Sequence, residues 1–426
     1  MVIIVSLRLS HFCAPQCAVT YGGRRRCHRL ISSLSAASEP SAAGRLLRKF
    51  VASSSKTTTL QALSLLISNS SPFSLHLYQI ISQTSWFRWN PVLAASLISL
   101  LEENDCAVDA QTLLSQAVSG LKSSRDLTLF YCYLIDAYSQ RRLKHAALQS
   151  YSKLKDMPFS GRRPYEFMIK GLCLMGMPAD AEELLQEMAF SGFKPSPFEF
   201  RWLVQAYGRA GAFSEMLRVL ESLHESGIAL DIVSANIVLS CYGDYGRFSE
   251  MISWVRKIHQ SGISFSFRTF NSVLNSCPTV VTMTKNAHSL PLSIEDFFRK
   301  VEEDCLCSDE VLLLQELVKL PLLADMLEWS ESEGKLDLHG LHLSSAYVII
   351  LQWMEELRLR FSMENIVPVE VSIICGSGKH SKSIGKSHVK KLVSEMMTRL
   401  RSPLRIDRKN IGRFIANGKR IKDWLC

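Results

Sequence analysis

The sequence predicts an α-helical repeat solenoid followed by a small α/β sandwich of strand, helix, strand, helix and hairpin. Three observations predict it. Ser-Gly recurs at 191–192, 226–227 and 261–262, and Gly176, Gly211 and Gly246 recur with the same period of 35 residues. The runs between those glycines are amphipathic at helical spacing, so each unit reads as helix, turn and second helix. After about residue 333 the pattern changes to short apolar strands alternating with helical faces.

The chain has 426 residues, enough for several domains with real cores. Its net charge of +9 is unevenly spread. Residues 1–101 hold ten Lys/Arg and one acid, Glu39; residues 102–334 hold 22 basic and 31 acidic residues, a net of −9; residues 335–426 hold 17 basic and eight acidic. The C-terminal end is therefore the natural contact for a polyanion. Residues 1–50, rich in Arg and Ser and almost free of acid, read as a disordered transit peptide for the chloroplast or, alternatively, the mitochondrion. No stretch reaches the roughly 18 uninterrupted apolar residues of a membrane span, so no membrane is expected as a partner. The twelve cysteines include no Cys-x-x-Cys, and Cys305-Leu306-Cys307 is the tightest set, so they read as reduced, buried thiols.

In chain order, residues 51–126 read as a helical N-terminal region and 127–277 as the repeats. Aligned lines are RRPYEFMIKGLCLMGMPADAEELLQEMAFSGFKPS (162–196), PFEFRWLVQAYGRAGAFSEMLRVLESLHESGIALD (197–231) and IVSANIVLSCYGDYGRFSEMISWVRKIHQSGISFS (232–266). A less regular copy begins near Thr128 and a truncated one, FRTFNSVLNSC, begins at 267. No unit can bury its apolar face alone, so neighbours must stack. Residues 278–332 read as an acidic helical connector.

Residues 333–426 form the last module. KLDLHG reads as a strand, LSSAYVIILQWMEELRLRF as a helix, and PVEVSIICGSGKHS as a strand entering a Gly-rich loop. A helix follows, with Val389, Leu392, Val393, Met396, Met397 and Leu400 on one face. Asn417-Gly418 between alternating residues signals a hairpin. The loop is not a nucleotide-binding P-loop: Gly385-Lys386-Ser387 would need glycine at position 380, which is His380. Nor does a Rossmann glycine pattern fit. Gly376 and Gly378 instead allow close backbone approach to an anion before a helix N-terminus, and Lys379 with Ser381 adds a charge and a donor for phosphate. The basic run continues through Arg413 and Lys422, favouring a polynucleotide backbone over a bound nucleotide.

The 35-residue lines resemble the pentatricopeptide repeat, and YEFMIKGLCLMGMPADAEELLQEMAFSGFKP matches its pattern almost throughout; the Trp-x-x-Leu-Gly signature of tetratricopeptide repeats is missing. The resemblance implies binding of single-stranded RNA, one base per repeat. It also implies that bases are chosen by the residue after the Tyr-like position of the first helix (Cys132, Glu166, Arg201, Asn236, Asn271) and by the last residue of the repeat (Gly161, Ser196, Asp231, Ser266). Asn236 with Ser266, and Asn271, fit the family's pairs. Glu166 and Arg201 depart from them, and Arg201 is assigned to phosphate.

Leu-Asp-Leu-His-Gly on the first strand and Gly-x-Gly-x-His-Ser after the second resemble the small MutS-related (Smr) domain, over about 333–426. A Cys stands where that family's loop carries Thr, and Ser377 where it often carries an aromatic. The resemblance implies nucleic-acid binding, with endonuclease activity in some members. Asp337 could bind a divalent metal, Mg or Mn, or orient water; His339, two residues on, shares its face. His339 or His380 could serve as general base or acid, with Lys379 on the scissile phosphate. A bland alternative stands beside this: Asp337 caps a turn and His339 is a half-buried histidine. The function expected is that of an organellar RNA-binding protein acting in RNA processing, whose C-terminal module binds and in some members cleaves nucleic acid, RNA or DNA, with organellar RNA-processing proteins as further partners. The alternatives are a non-catalytic RNA-stabilising factor and a protein scaffold.

Overall fold

The structure, a computed structural model, describes residues 21–425 apart from 38, 156, 158–160, 306, 321, 364–365 and 377–386. Two compact units divide the chain, residues 1–206 and 207–426.

The first unit is helical throughout its described residues. It comprises α1 (Tyr21–Ser35), α2 (Pro40–Ser53), α3 (Lys56–Ser68), α4 (Ser74–Ser82), α5 (Pro91–Glu103), α6 (Ala107–Gly120), α7 (Ser124–Gln140), α8 (Lys144–Lys155), α9 (Arg162–Leu174), α10 (Pro178–Phe190) and most of α11 (Pro197–Arg209). First helices stack on first helices: α5 packs on α7 and α7 on α9. Phe130, Leu134, Ile135 and Tyr138 form the buried stripe of α7, and Met168, Ile169 and Leu172 that of α9, at the spacing of one helical face.

The turn after each first helix is the signature of the repeat. Gly176 has φ +80, and the amide of Met177 bonds back to the Leu172 carbonyl at 2.9 Å, closing a Schellman turn. The same turn occurs at Ser70, Asp105 and Arg142, whose φ values are +50, +58 and +60. It is closed there by Ser71 to Leu66, Cys106 to Leu101 and Leu143 to Tyr138. The repeat architecture thus starts upstream of the residues where glycine marks it, and α3/α4 and α5/α6 are helix pairs of the same kind.

One expectation is corrected here. Residues 1–50 do not read as a disordered segment over their described part, because α1 and α2 are helices that pack on α3 and α4. Cys27, Leu30 and Leu34 of α1 and Ala43 and Leu47 of α2 are buried, enough apolar surface to fold helices that their polar composition alone would not favour.

The second unit carries α12 (Phe213–Glu225), α13 (Ile232–Asp244), α14 (Phe248–Gln260) and α15 (Phe267–Ser276), in register with the 35-residue lines. Consecutive first helices meet closely: a Cβ at Gly208 would lie 2.4 Å from Cys241 Sγ. The connector follows as α16 (Pro278–Met283), a 3-10 turn at Ala287–Ser289, α17 (Ile294–Asp304), α18 (Ser308–Val318) and α19 (Leu322–Met326).

The module then folds as β1 (Leu327–Trp329), β2 (Glu333–Asp337), α20 (Leu343–Met363), β3 (Glu370–Ile374), α21 (His388–Arg399), β4 (Arg405–Ile406), β5 (Arg413–Asn417) and α22 (Gly418–Leu425). Its sheet is small and mixed, in the order β1-β2-β3-β5-β4. Strands β2 and β3 are parallel, with Asp337 opposite Ile374, as a strand–helix–strand crossover requires; the other pairs are antiparallel. Helix α20 is buried along most of its length, with Tyr347 and Trp353 fully enclosed.

Two features differ from the sequence reading. Strand β1 is an extra, short edge strand. Asn417-Gly418 is not a hairpin turn but the junction between β5 and α22; the hairpin is β4–β5. Glycine is needed at 418 for another reason, since a Cβ there would fall 1.7 Å from the Pro368 carbonyl oxygen.

Candidate nucleic-acid interface

The candidate reading positions of the repeats fall where the lines place them, near the starts of first helices, but their side chains have different fates. In the 162–196 repeat Glu166 pairs with Arg162. Arg162 also donates to the buried carboxylate of Glu199 at 2.8 Å and to the Lys194 carbonyl at 2.6 Å. Ser196 gives both its backbone N–H and its hydroxyl to Glu199, at 2.8 and 2.7 Å. Both candidate base-choosing residues of this repeat, Glu166 and Ser196, are therefore committed within the protein. Nearby, the starts of α7 and α9 border an open groove of about 760 Å³ whose lining includes Arg125, Arg162 and Arg163. Arg125 and Arg163 are cations that stand outside the base-choosing positions of the repeat lines.

In the 232–266 repeat, Asn236 is half-buried on α13 and its Oδ1 is shielded, with no hydrogen-bond partner among the described residues. Ser266 caps α15, forming a capping box with Thr269. Arg201 is half-buried on α11. Asn271 is different from Asn236. It is 6% exposed; its Nδ2 donates to the Gly340 carbonyl at 2.8 Å and its Oδ1 accepts the His342 N–H at 2.8 Å. The role of Asn271 as a base reader is corrected on this ground, because both hydrogen-bonding ends of its amide are already matched by backbone.

At the C-terminal ends of β2 and β3, the place where α/β sheets build sites, two sequence motifs come together. Asp337 Oδ1 accepts the backbone N–H of His339 at 2.9 Å and faces its Nδ1 at 2.8 Å. A carboxylate only accepts, so Nδ1 carries a proton, and in the neutral ring Nε2 presents a lone pair. The His339 side chain is 60% exposed, open to a ligand. Gly376, φ +73, lies against the imidazole: a Cβ there would be 3.1 Å from both Cδ2 and Nε2 of His339. The turn-capping role of Asp337 and its orienting role are thus one and the same contact.

Cys375, next to Gly376, is no nucleophile, since burial pushes its thiol up to about 12. The loop's other candidates, Gly378, Lys379, His380 and Ser381, lie outside the described residues. Ser387 caps α21 by accepting the Lys390 N–H at 3.2 Å, so a helix N-terminus does follow the loop. Arg413 does not extend the basic surface. Its guanidinium donates to Glu333 at 2.5 Å, Glu370 at 2.7 Å and Ser372 at 3.3 Å, neutralising charge across β2, β3 and β5. Among the described residues no group of three His, Cys, Asp or Glu could hold a metal ion. Asp337 Oδ2 remains as one carboxylate oxygen. That fits a Mg²⁺ or Mn²⁺ that arrives with substrate phosphates, not one held by these side chains alone.

A family model described as pentatricopeptide repeat-containing protein matches residues 174–288. The chain is 22% identical over 249 residues to the chloroplastic ATP4 homolog of Oryza sativa subsp. japonica, a pentatricopeptide repeat-containing protein, covering 54% of this chain and 36% of that one. Among solved structures it is similar to PPR10 from maize, with 14% identity and a TM-score of 0.42 over 88% of this chain, and it spans 55% of that chain. PPR10 has also been solved in complex with an 18-nt psaJ RNA element, at 15% identity and a TM-score of 0.26, covering 83% of this chain and 60% of that one. The chain is 44% identical to the pentatricopeptide repeat-containing protein At2g17033 of Arabidopsis thaliana over an alignment of 419 residues that covers 93% of this chain and 81% of that protein, and so it belongs to the pentatricopeptide repeat family.

Proposed function

We propose that this protein binds single-stranded RNA along its helical repeats and engages the RNA backbone with a C-terminal Smr-type module that cuts it. The observation that carries the catalytic part is the Asp337–His339 pair seated on Gly376 at the ends of two parallel strands. With Nδ1–H held by the carboxylate, Nε2 of the neutral ring can take the proton of a hydroxyl as its oxygen bonds to phosphorus; the imidazolium that forms, stabilised by Asp337, can return a proton to the backbone oxygen that leaves as its own P–O bond breaks. The resemblance of both strand-end motifs to Smr domains supports this reading, as does the excess of basic over acidic residues in 335–426. Lys379 and the glycine loop would hold the phosphate. A divalent ion entering with the RNA would add charge neutralisation at that phosphate.

Base selection is assigned mainly to Asn236 with Ser266, the pair that fits the resemblance; the Asn236 Oδ1, unpartnered among the described residues, is shielded and must turn outward to meet a base, and Ser266 must leave its cap on α15. The N-terminal basic, acid-poor stretch supports import into the chloroplast, with the mitochondrion as the alternative destination. The acidic middle of the chain favours a second reading, a scaffold for RNA-processing proteins.

The experiment is binding of labelled single-stranded RNA by the full chain at graded salt. RNA held through phosphate contacts must release counterions, so affinity should fall steeply as salt rises. An affinity for RNA that is absent, or flat against salt, favours the scaffold.

A further inference from the structure

Asn271 stands in α15 where Asn236 stands in α13, 35 residues earlier. The amide whose oxygen is unpartnered among the described residues in one repeat is bonded at both its oxygen and its nitrogen in the next. A planar amide that gives one hydrogen bond and takes another from the same short stretch fixes that stretch in position and in orientation. The stretch is Gly340–His342, the residues directly after His339. One turn along α15, Asn275 Nδ2 lies 2.7 Å from His342 Nδ1. Phe267, at the start of α15, covers Gly340: a Cβ there would be 2.7 Å from its ring, and the φ of +80 suits glycine. Thr284, beyond α16, approaches Ser344 at 3.4 Å.

We infer that the truncated last repeat is a latch rather than a reader: Asn271, supported by Asn275 and Phe267, seats the 338–342 loop on the end of the repeat array, and so fixes which nucleotide His339 meets. The inference rests on the RNA reading proposed above. Because each repeat takes one base, and the latch stands one repeat beyond Asn236, His339 addresses a constant distance along the strand from the base that Asn236 reads. Asn271 is in this sense a positioning residue.

The test uses the full chain and single-stranded RNAs retained by it from a random pool. Each RNA carries one photoreactive uridine, stepped along the sequence, and crosslinks to the peptide containing His339 are mapped by mass spectrometry. The wild-type chain should crosslink through that peptide at one nucleotide or two adjacent ones. Asn271→Ala should spread the crosslinks over several nucleotides while RNA affinity stays within a few-fold. Asn275→Ala, which leaves the core residues Phe270, Val273 and Leu274 of α15 in place, should spread them to a lesser degree and serves if Asn271→Ala does not fold. A register equally sharp in both variants overturns the latch, as does a wild-type chain whose crosslinks are spread evenly along an RNA it binds. A pool from which nothing is retained removes the RNA reading and this inference with it, and that result is distinct from a spread of crosslinks.

Discussion

Asp337 holds His339 twice with a single oxygen, through the backbone N–H at 2.9 Å and through Nδ1 at 2.8 Å. Ring orientation and tautomer are set by one carboxylate. Asp337→Ala should therefore leave the histidine in place but misdirected, and His339→Ala should remove the base itself. In an assay of labelled RNA cut by the full chain, each should lower the rate by about 10²–10⁴-fold. RNA affinity should change only a few-fold, since neither side chain attracts phosphate. Cleavage that persists in His339→Ala would place the active site elsewhere.

Gly376→Ala should act on the same imidazole from the other side. The new methyl would sit 3.1 Å from His339 Cδ2 and Nε2, and alanine at φ +73 adds strain of about 1 kcal/mol. The expected outcome is a slower cut with modest loss of melting temperature. Unchanged cleavage would show that the ring does not need the Gly376 turn.

Arg413 binds the sheet together. Burial works to raise the Glu333 carboxyl, but hydrogen bonds from Ser372 and Arg413, with the Arg413 charge, outweigh it and hold the group below its usual value. Its stabilising contribution is complete above the unfolded value of about 4.3 and is lost as pH falls through the lower folded value. Arg413→Ala leaves Glu333 and Glu370 without their shared cation and should cost about 1–3 kcal/mol at neutral pH. Urea melts at pH 7 and at acid pH measure it: the gap between variant and wild type should narrow as the carboxylates protonate.

His342 makes the latch sensitive to pH. Partial desolvation of its ring, on a residue that is still exposed by area, lowers its pKa, so the folded chain favours the neutral form, whose Nδ1 accepts from Asn275 Nδ2. The unfolded residue protonates near pH about 6.5, so the folded state binds fewer protons below that value and loses stability there. Amide exchange at His342, followed from pH 7.5 to 5.5, should show protection falling on the acid side. Protection that is constant, or rises toward acid, contradicts this role for the ring.

Much of this was readable from the residues because local chemistry and global fold agree. Gly176, Gly211 and Gly246 mark the repeats since each sits at positive φ after a first helix. Upstream the same turns exist, but Ser70, Asp105 and Arg142 occupy them, so the period is invisible to a search for glycine. Asn417-Gly418 carries the local signal of a hairpin; what decides its conformation is Pro368, a tertiary neighbour fifty residues earlier in chain order. Asn271 has the sequence of a base reader, and only contact with backbone 69 and 71 residues away makes it a latch. The Asp337–His339 pair was legible from its spacing, but not through a shared strand face: β2 ends at Asp337, and His339 lies in the following turn with its N–H held by the Asp337 carboxylate. Its seat on Gly376 needed the parallel pairing of β2 and β3.

The central claim is that the repeats read RNA, with Asn236 and Ser266 as the reader. The measurement that tests it most directly is base preference in RNA retained from a random pool by the full chain and by its Asn236→Ala variant. The account predicts that the wild-type RNAs share a preferred base at one position more strongly than elsewhere, and that Asn236→Ala flattens the preference there alone. RNAs without preference at any position, or a preference that Asn236→Ala leaves intact, would contradict it.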